Sequence, residues 1–191
     1  VTLTFNQHDR YLLATPLYFG GGRAFALTHL MIGATLILYP PPYQPQDLVQ
    51  AVARHKATST FLVPTLLRRL MALPDAALSG LAGLRLLISS GAPLHPPERD
   101  AIERRVCAGF IEYFASTEGG GISVMAPAER DGRPDSVGRA AFRVALQVVG
   151  PDHQPLPIGN VGAVRYRGPG VATGFFRDDD RSAEAFRDGW F

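Results

Sequence analysis

The chain has 191 residues, 46% hydrophobic and 19% charged, with a formal net charge of +2. That balance suits a globular protein with a sizeable apolar core and excludes a disordered chain. Its arginines are scattered among acids, as in Glu98-Arg99-Asp100 and Glu103-Arg104-Arg105, with no basic stripe interleaved with aromatics, so no nucleic-acid partner is expected. The apolar runs are too short to span a bilayer, and no basic-then-apolar leader opens the sequence. The single cysteine, Cys107, forms no internal disulfide and fits a reducing compartment, so the expected location is cytoplasmic.

In chain order, Tyr11 to Thr15 reads as a buried strand ended by Pro16, Arg23 to Ile32 as a helix, and Thr35 to Tyr39 as a strand before Pro40-Pro41-Pro42. Asp47 to Arg54 spaces Leu48, Val49, Ala51 and Val52 as a helix does. Thr58 to Val63 is a β-branched strand, and Thr65 to Ala72 a helix with Thr65 as its expected N-cap. Leu84 to Ile88, Pro96 to Val106 and Phe110 to Phe114 continue as strand, helix, strand. Such alternation predicts an α/β fold, a parallel doubly wound sheet whose strand C-termini feed functional loops. From about Ser136 the pattern changes. Val144 to Val149 and Val161 to Tyr166 are strands separated by a turn-rich segment too short for a helix, which predicts antiparallel pairing. The expected division is therefore an α/β subdomain over 1–134 and a small β-rich subdomain over 135–191. The start without methionine and the stop straight after Trp190 lead us to expect an internal piece of a longer protein.

Three loops stand where a parallel sheet places chemistry. Thr15 to Gly22 closes the first strand, with Tyr18 and Phe19 able to wall an apolar pocket and Gly20 to Gly22 allowing close backbone approach. A tight βα turn accounts for the same residues. Ser89 to Leu94 follows another strand; Gly91, Ala92 and Pro93 form a flat shelf suited to an aromatic base, or a plain turn. Glu112 to Gly121 carries most information. Tyr113 and Phe114 offer stacking surface, Thr117 a hydroxyl for a phosphate oxygen, and Glu118 a hard anionic oxygen for Mg²⁺. Ser116-Thr117-Glu118 also reads as a turn or helix cap.

Together and in this order, these segments resemble the adenylate-forming superfamily of acyl-CoA and aryl-CoA synthetases, peptide-synthetase adenylation domains and beetle luciferases. Thr15 to Gly22 is similar to its Pro-Leu-aromatic-His loop, Ser90 to Leu94 to its Gly-Ala-Pro-Leu loop, and Glu112 to Glu118 to its aromatic-Gly-x-Thr-Glu motif. Ser136-Val137-Gly138-Arg139, Gly159 to Phe176 and Asp188 to Phe191 resemble three further family segments in the β lobe. The resemblance implies a carboxylate–CoA ligase using ATP, Mg²⁺ and coenzyme A with a small carboxylic acid. It also implies roles for particular residues. Gly91, Ala92, Pro93, Glu112, Tyr113, Phe114, Ala115, Ser116 and Thr117 would form the nucleotide site. Thr117 and Glu118 would act on the phosphates, with Glu118 as the metal ligand. Tyr18, Phe19, Gly20, Gly91, Gly119 and Gly120 would border the acyl pocket.

Departures from the family pattern are specific. Phe19 stands where many relatives carry histidine, Ala115 where they carry glycine, and Asn160 and Ala163 where they carry glutamates. No phosphate loop ending in lysine occurs, and Lys56, the one lysine, matches no motif. The isolated chain is accordingly expected to be inactive. A peptide-synthetase adenylation domain and a non-catalytic nucleotide-binding scaffold of the same fold are the alternatives. A homo-oligomer is compatible with the sequence.

Overall fold

Residues 3–191 are described by a computed structural model. β1 (Arg10–Leu13) leads to α1 (Gly20–Met31), β2 (Thr35–Leu38) to α2 (Pro45–His55), and β3 (Ser59–Phe61) to α3 (Pro64–Met71) and the short α4 (Asp75–Leu78). β4 (Leu86–Ser89) leads to α5 (Pro96–Arg105), followed by β5 (Phe110–Ser116) and β6 (Gly120–Met125). β7 (Arg139–Ala140), β8 (Ala145–Val149), β9 (Ala163–Arg167) and α6 (Asp179–Ala185) complete the chain. The class is mixed α/β, as expected: a mostly parallel seven-stranded sheet of order β2-β1-β3-β4-β5-β6-β7, and a separate antiparallel pair, β8 and β9. Among the described residues no helix is long and apolar enough to cross a membrane.

The chain folds into two compact units. One comprises Leu3–Tyr113 with Met125–Gly138, and the other Phe114–Val124 with Arg139–Phe191. In the first, β1 pairs in parallel with both β2 and β3, β3 with β4, and β4 with β5. The connection from β2 through α2 to β3 passes back across β1, so strand order reverses there. Open α/β sheets bind ligands outside the carboxyl ends of strands beside such a reversal. Strand alternation sends side chains to both faces. Leu12 and Leu87 join Leu48, Val49 and Val52 of α2, Leu67 and Leu70 of α3, and Ile102 of α5 in the main core. On the other face Tyr11 stacks on His29 of α1 with ring centroids 4.3 Å apart, and Phe25 of α1 meets Phe61 at 5.1 Å. Each fully buried leucine contributes roughly 1.5–3 kcal/mol over an exposed one.

In the second unit, β6 and β7 pair antiparallel through Ser123–Ala140 and Val124–Arg139. The β8–β9 ladder places Leu146 opposite Tyr166, and Tyr166 also exchanges backbone hydrogen bonds with Phe191 at 2.8 and 3.0 Å. The guanidinium groups of Arg165 and Arg167 both approach the Trp190 ring, 4.7 and 4.6 Å from its centroid.

Several elements differ from the sequence expectation. α1 begins at Gly20 rather than Arg23, because its first turn is pressed against the end of β1. A Cβ on Gly22 would lie 2.6 Å from the carbonyl oxygens of Thr15 and Pro16, so only glycine fits. Thr65 is not the N-cap of α3; Val63 is, in extended conformation, and Pro64 is the first helical residue. Proline suits that position because its fixed φ is helical and no N–H is left unpaired. Finally, strand β6, opened by Gly120 and Gly121, was not among the expected elements.

Candidate active site

Within the first unit, parallel strands deliver the loops after β1 and β4 to one edge. Ser89 at the end of β4 lies opposite Glu112 of β5. The chain leaves β4 through Gly91, whose φ of +100° demands glycine although a Cβ would meet only Val63 at 3.9 Å. Ala92 and Pro93 are exposed, a shelf open to solvent, and Leu94 is buried beneath it. The shelf is fastened from below. Arg68 of α3 donates to the Pro93 carbonyl at 3.3 Å and forms an ion pair with Glu98 of α5 at 2.6 Å. Glu98 in turn accepts the His95 N–H at 2.8 Å, closing the N-terminus of α5.

Glu112 carries the strongest electrostatic constraint. Its carboxylate contacts Arg99 of α5 at 2.5 Å, and both side chains are nearly buried, at 12% and 7% exposure. The Leu94 N–H also faces its carboxylate, so Glu112 stands against the buried end of the shelf. Burial raises its pKa, outweighing the opposing pull of Arg99 and Arg130. Arg99 further donates to the carbonyls of Pro134 and Ser136. Tyr113, next along β5, packs against Phe25 at 5.7 Å, and burial raises its phenol pKa. At the other loop, Tyr18 and Phe19 are 77% and 56% exposed, their rings 4.7 Å apart. Gly20 has open space around it, whereas Gly21 abuts the Phe61 ring at 3.0 Å.

The second unit holds the remainder of the motif. Phe114 is 42% exposed and Ala115 half-buried. Thr117 to Gly119 make the turn between β5 and β6, with the Thr117 side chain exposed. The Ser116 hydroxyl lies 2.6 Å from the Tyr166 hydroxyl and accepts the Gly119 N–H at 2.9 Å. The Ala172 N–H donates to the Glu118 carbonyl at 2.7 Å. Gly119 is required by packing: a Cβ there would lie 2.1 Å from the Tyr166 ring. Ser116 therefore does cap this turn. That leaves the Thr117 hydroxyl and Glu118 carboxylate as the groups of the turn available for chemistry.

The structure thus sets Glu112 against the shelf at Leu94, and joins Ser116 to Gly119. Arg99 and Tyr166 were not singled out from sequence. Arg99 had a signal, since it sits three residues before buried Ile102 on the apolar stripe of α5. Tyr166 had none, being one residue of an ordinary alternating strand.

A family model described as AMP-binding enzyme matches residues 1–176. The chain belongs to that family. Among curated relatives of this chain, a feruloyl-CoA synthase from Amycolatopsis sp is 30% identical over 187 residues, covering 96% of this chain and 37% of the relative. An indoleacetate–CoA ligase from Aromatoleum aromaticum is 31% identical over 185 residues, covering 96% and 36%. The chain therefore spans little more than a third of the length of these relatives. Among solved structures, the amide bond synthetase McbA from Marinactinospora thermotolerans superposes with a TM-score of 0.90 at 28% identity, covering 99% of this chain and 38% of that one. ATP-bound MatB from Rhodopseudomonas palustris superposes with a TM-score of 0.86 at 27% identity, covering 99% and 37%.

Proposed function

We propose that this AMP-binding enzyme chain is the nucleotide- and acyl-binding portion of an ATP-dependent carboxylate–CoA ligase. The observation that carries the reading is the exposed Gly91–Pro93 shelf at the carboxyl edge of the parallel sheet, beside the strand switch, with Glu112 of β5 opposite Ser89 where the shelf begins. A free carboxylate has no acceptable leaving group. Attack on the α-phosphorus of ATP gives an acyl-adenylate and pyrophosphate, and AMP then departs when a thiol attacks the acyl carbon. The chain's contribution is to bind, orient and exclude water.

In this reading the exposed Gly91-Ala92-Pro93 surface takes the adenine and Glu112 acts by holding the shelf; Phe114, in the second unit, carries an exposed ring of the kind that stacks on a base. Tyr113 supports the same strand from the α1 side, and Ser116 shapes the turn. The Thr117 hydroxyl donates to a phosphate oxygen. Glu118 would hold Mg²⁺, which when bound supplies positive charge beside the phosphates. A single carboxylate on a turn suits that ion, because Mg²⁺ is commonly held by one or two carboxylates together with substrate phosphates. Tyr18 and Phe19 give an exposed aromatic wall, with Gly20 and Gly91 of the same unit beside the acyl group. That wall, with relatives named for feruloyl and indoleacetate substrates, supports an aryl carboxylic acid as substrate.

The test is carboxylate-dependent exchange of pyrophosphate into ATP by the full-length protein, with aryl acids set against saturated fatty acids. Aryl acids are expected to support it best. Glu118→Ala should slow exchange at limiting Mg²⁺ by at least the roughly tenfold that losing a supporting metal contact costs. An unchanged rate would remove Glu118 from the metal site. A folded full-length protein without exchange on any acid would favour the non-catalytic alternative.

A further inference from the structure

We infer that Tyr166 is a positioning residue for the Thr117–Gly119 turn, acting through Ser116 and thereby setting where the Thr117 hydroxyl and Glu118 carboxylate stand. The inference rests on the proposed role of those two groups. It deepens that role by naming what holds them.

A three-residue turn between strands is soft unless its backbone groups are tied, and this one is tied three times. Ser116 accepts the Gly119 N–H at 2.9 Å, Tyr166 shares a 2.6 Å hydrogen bond with the same Ser116 oxygen, and the Ala172 N–H holds the Glu118 carbonyl at 2.7 Å. Two of the three meet on one hydroxyl. A serine hydroxyl has one proton and two acceptor lone pairs. With Gly119 N–H on one lone pair, the phenol fixes the remaining freedom of the rotor. The phenol has little freedom of its own. Tyr166 is 5% exposed, its ring fills the space where a Gly119 side chain would stand, and its backbone is paired with Leu146 on one side and Phe191 on the other. The Glu118 charge also reaches the phenol, where it adds to burial in raising the pKa. The phenol therefore stays protonated at neutral pH and available as a donor.

A merely structural tyrosine would act through its ring; a positioning tyrosine needs its oxygen. Tyr166→Phe keeps the ring and removes the oxygen. In the full-length protein we expect this variant to fold with nearly unchanged thermal stability. It should lose about fivefold to tenfold in exchange rate at limiting Mg²⁺, the scale of one hydrogen bond, with partial recovery at saturating Mg²⁺. Ser116→Ala should produce a similar loss, and the double variant no more than the larger single effect, because both act through one contact. Independently of catalysis, amide hydrogen exchange over 116–121 should accelerate in Tyr166→Phe and not elsewhere. Wild-type exchange protection and wild-type Mg²⁺ dependence in Tyr166→Phe would overturn the inference, as would losses that multiply in the double variant. If the wild-type protein activates no acid, the proposed ligase function fails, while the amide-exchange measurement still decides whether Tyr166 holds the turn.

Discussion

Removing a carboxylate from water costs free energy, and for Glu112 that cost is offset by Arg99, whose guanidinium is equally buried. The pair is asymmetric. Taking away Arg99 leaves an uncompensated buried charge, so Arg99→Ala should destabilise the fold by about 3–5 kcal/mol, whereas adding Glu112→Gln to that variant should restore a large part. Urea unfolding of the two variants measures both, and equal destabilisation would mean the charge is not the cause. Glu112 also carries a sign that can be read. Its folded pKa is raised, so its contribution is present at low pH and lost as pH rises through that value. At this scale the sequence was partly legible. The glycine at 91, the shelf residues and the Thr117–Glu118 pair were visible as residue types in order. Their supports were not, because Arg99 and Tyr166 meet their partners only through tertiary packing. Tyr113 shows the limit of reading a run as one surface, since alternation along β5 turns its ring toward Phe25.

Helix α5 is the element that fastens the shelf, and its first turn is acid-sensitive. Hydrogen bonds from Arg68 and then from the His95 N–H lower the Glu98 pKa from an ordinary 4.5 to about 2. A depressed carboxylate stabilises the folded state fully above the ordinary value and loses that contribution as pH falls from 4.5 towards 2. Glu98→Gln should therefore flatten the loss of stability in that window. A thermal-denaturation series across pH 2–5 for both proteins provides the check, and parallel curves would rule the residue out. Glu112 works in the opposite sense, so the wild-type slope is a net value. Among the elements, the helices with apolar periodicity and the buried strands were readable from sequence to within a few residues. Strand β6 was hidden because glycines carry no hydrophobic period. The short β7 and α6 were hidden because Arg139-Ala140 and Asp179 to Ala185 present little apolar pattern.

Considered whole, the chain has one lysine, and within the first unit it stands at the opposite edge of the sheet from the Gly91–Pro93 shelf. Lys56 closes α2 in left-handed conformation and leads into β3, at the amino edge of the parallel strands, whereas the loops after β1 and β4 leave the carboxyl edge. Transfer to a phosphate group needs positive charge close to the oxygens that gain it. Purified on its own, the 191-residue chain should form no detectable acyl-adenylate from ATP, Mg²⁺ and an aryl acid. Thin-layer separation of labelled products tests this, and measurable turnover would show that arginines or the metal suffice. The overall class was legible from sequence because alternating strands and helices leave few topologies. The fastening of 125–138 to α5 was not, because it depends on contacts such as Arg99 with Pro134 and Arg130 with Glu103.

Tyr166 belongs to two structures at once, its main chain zipped to Phe191 and its hydroxyl locked into the bend that presents Glu118. Whatever loosens Arg187 to Phe191 therefore loosens the strand that braces that bend. Loosening of 187–191 and blurring of a carboxylate some seventy residues earlier become one cooperative event, with a single phenol as the pivot.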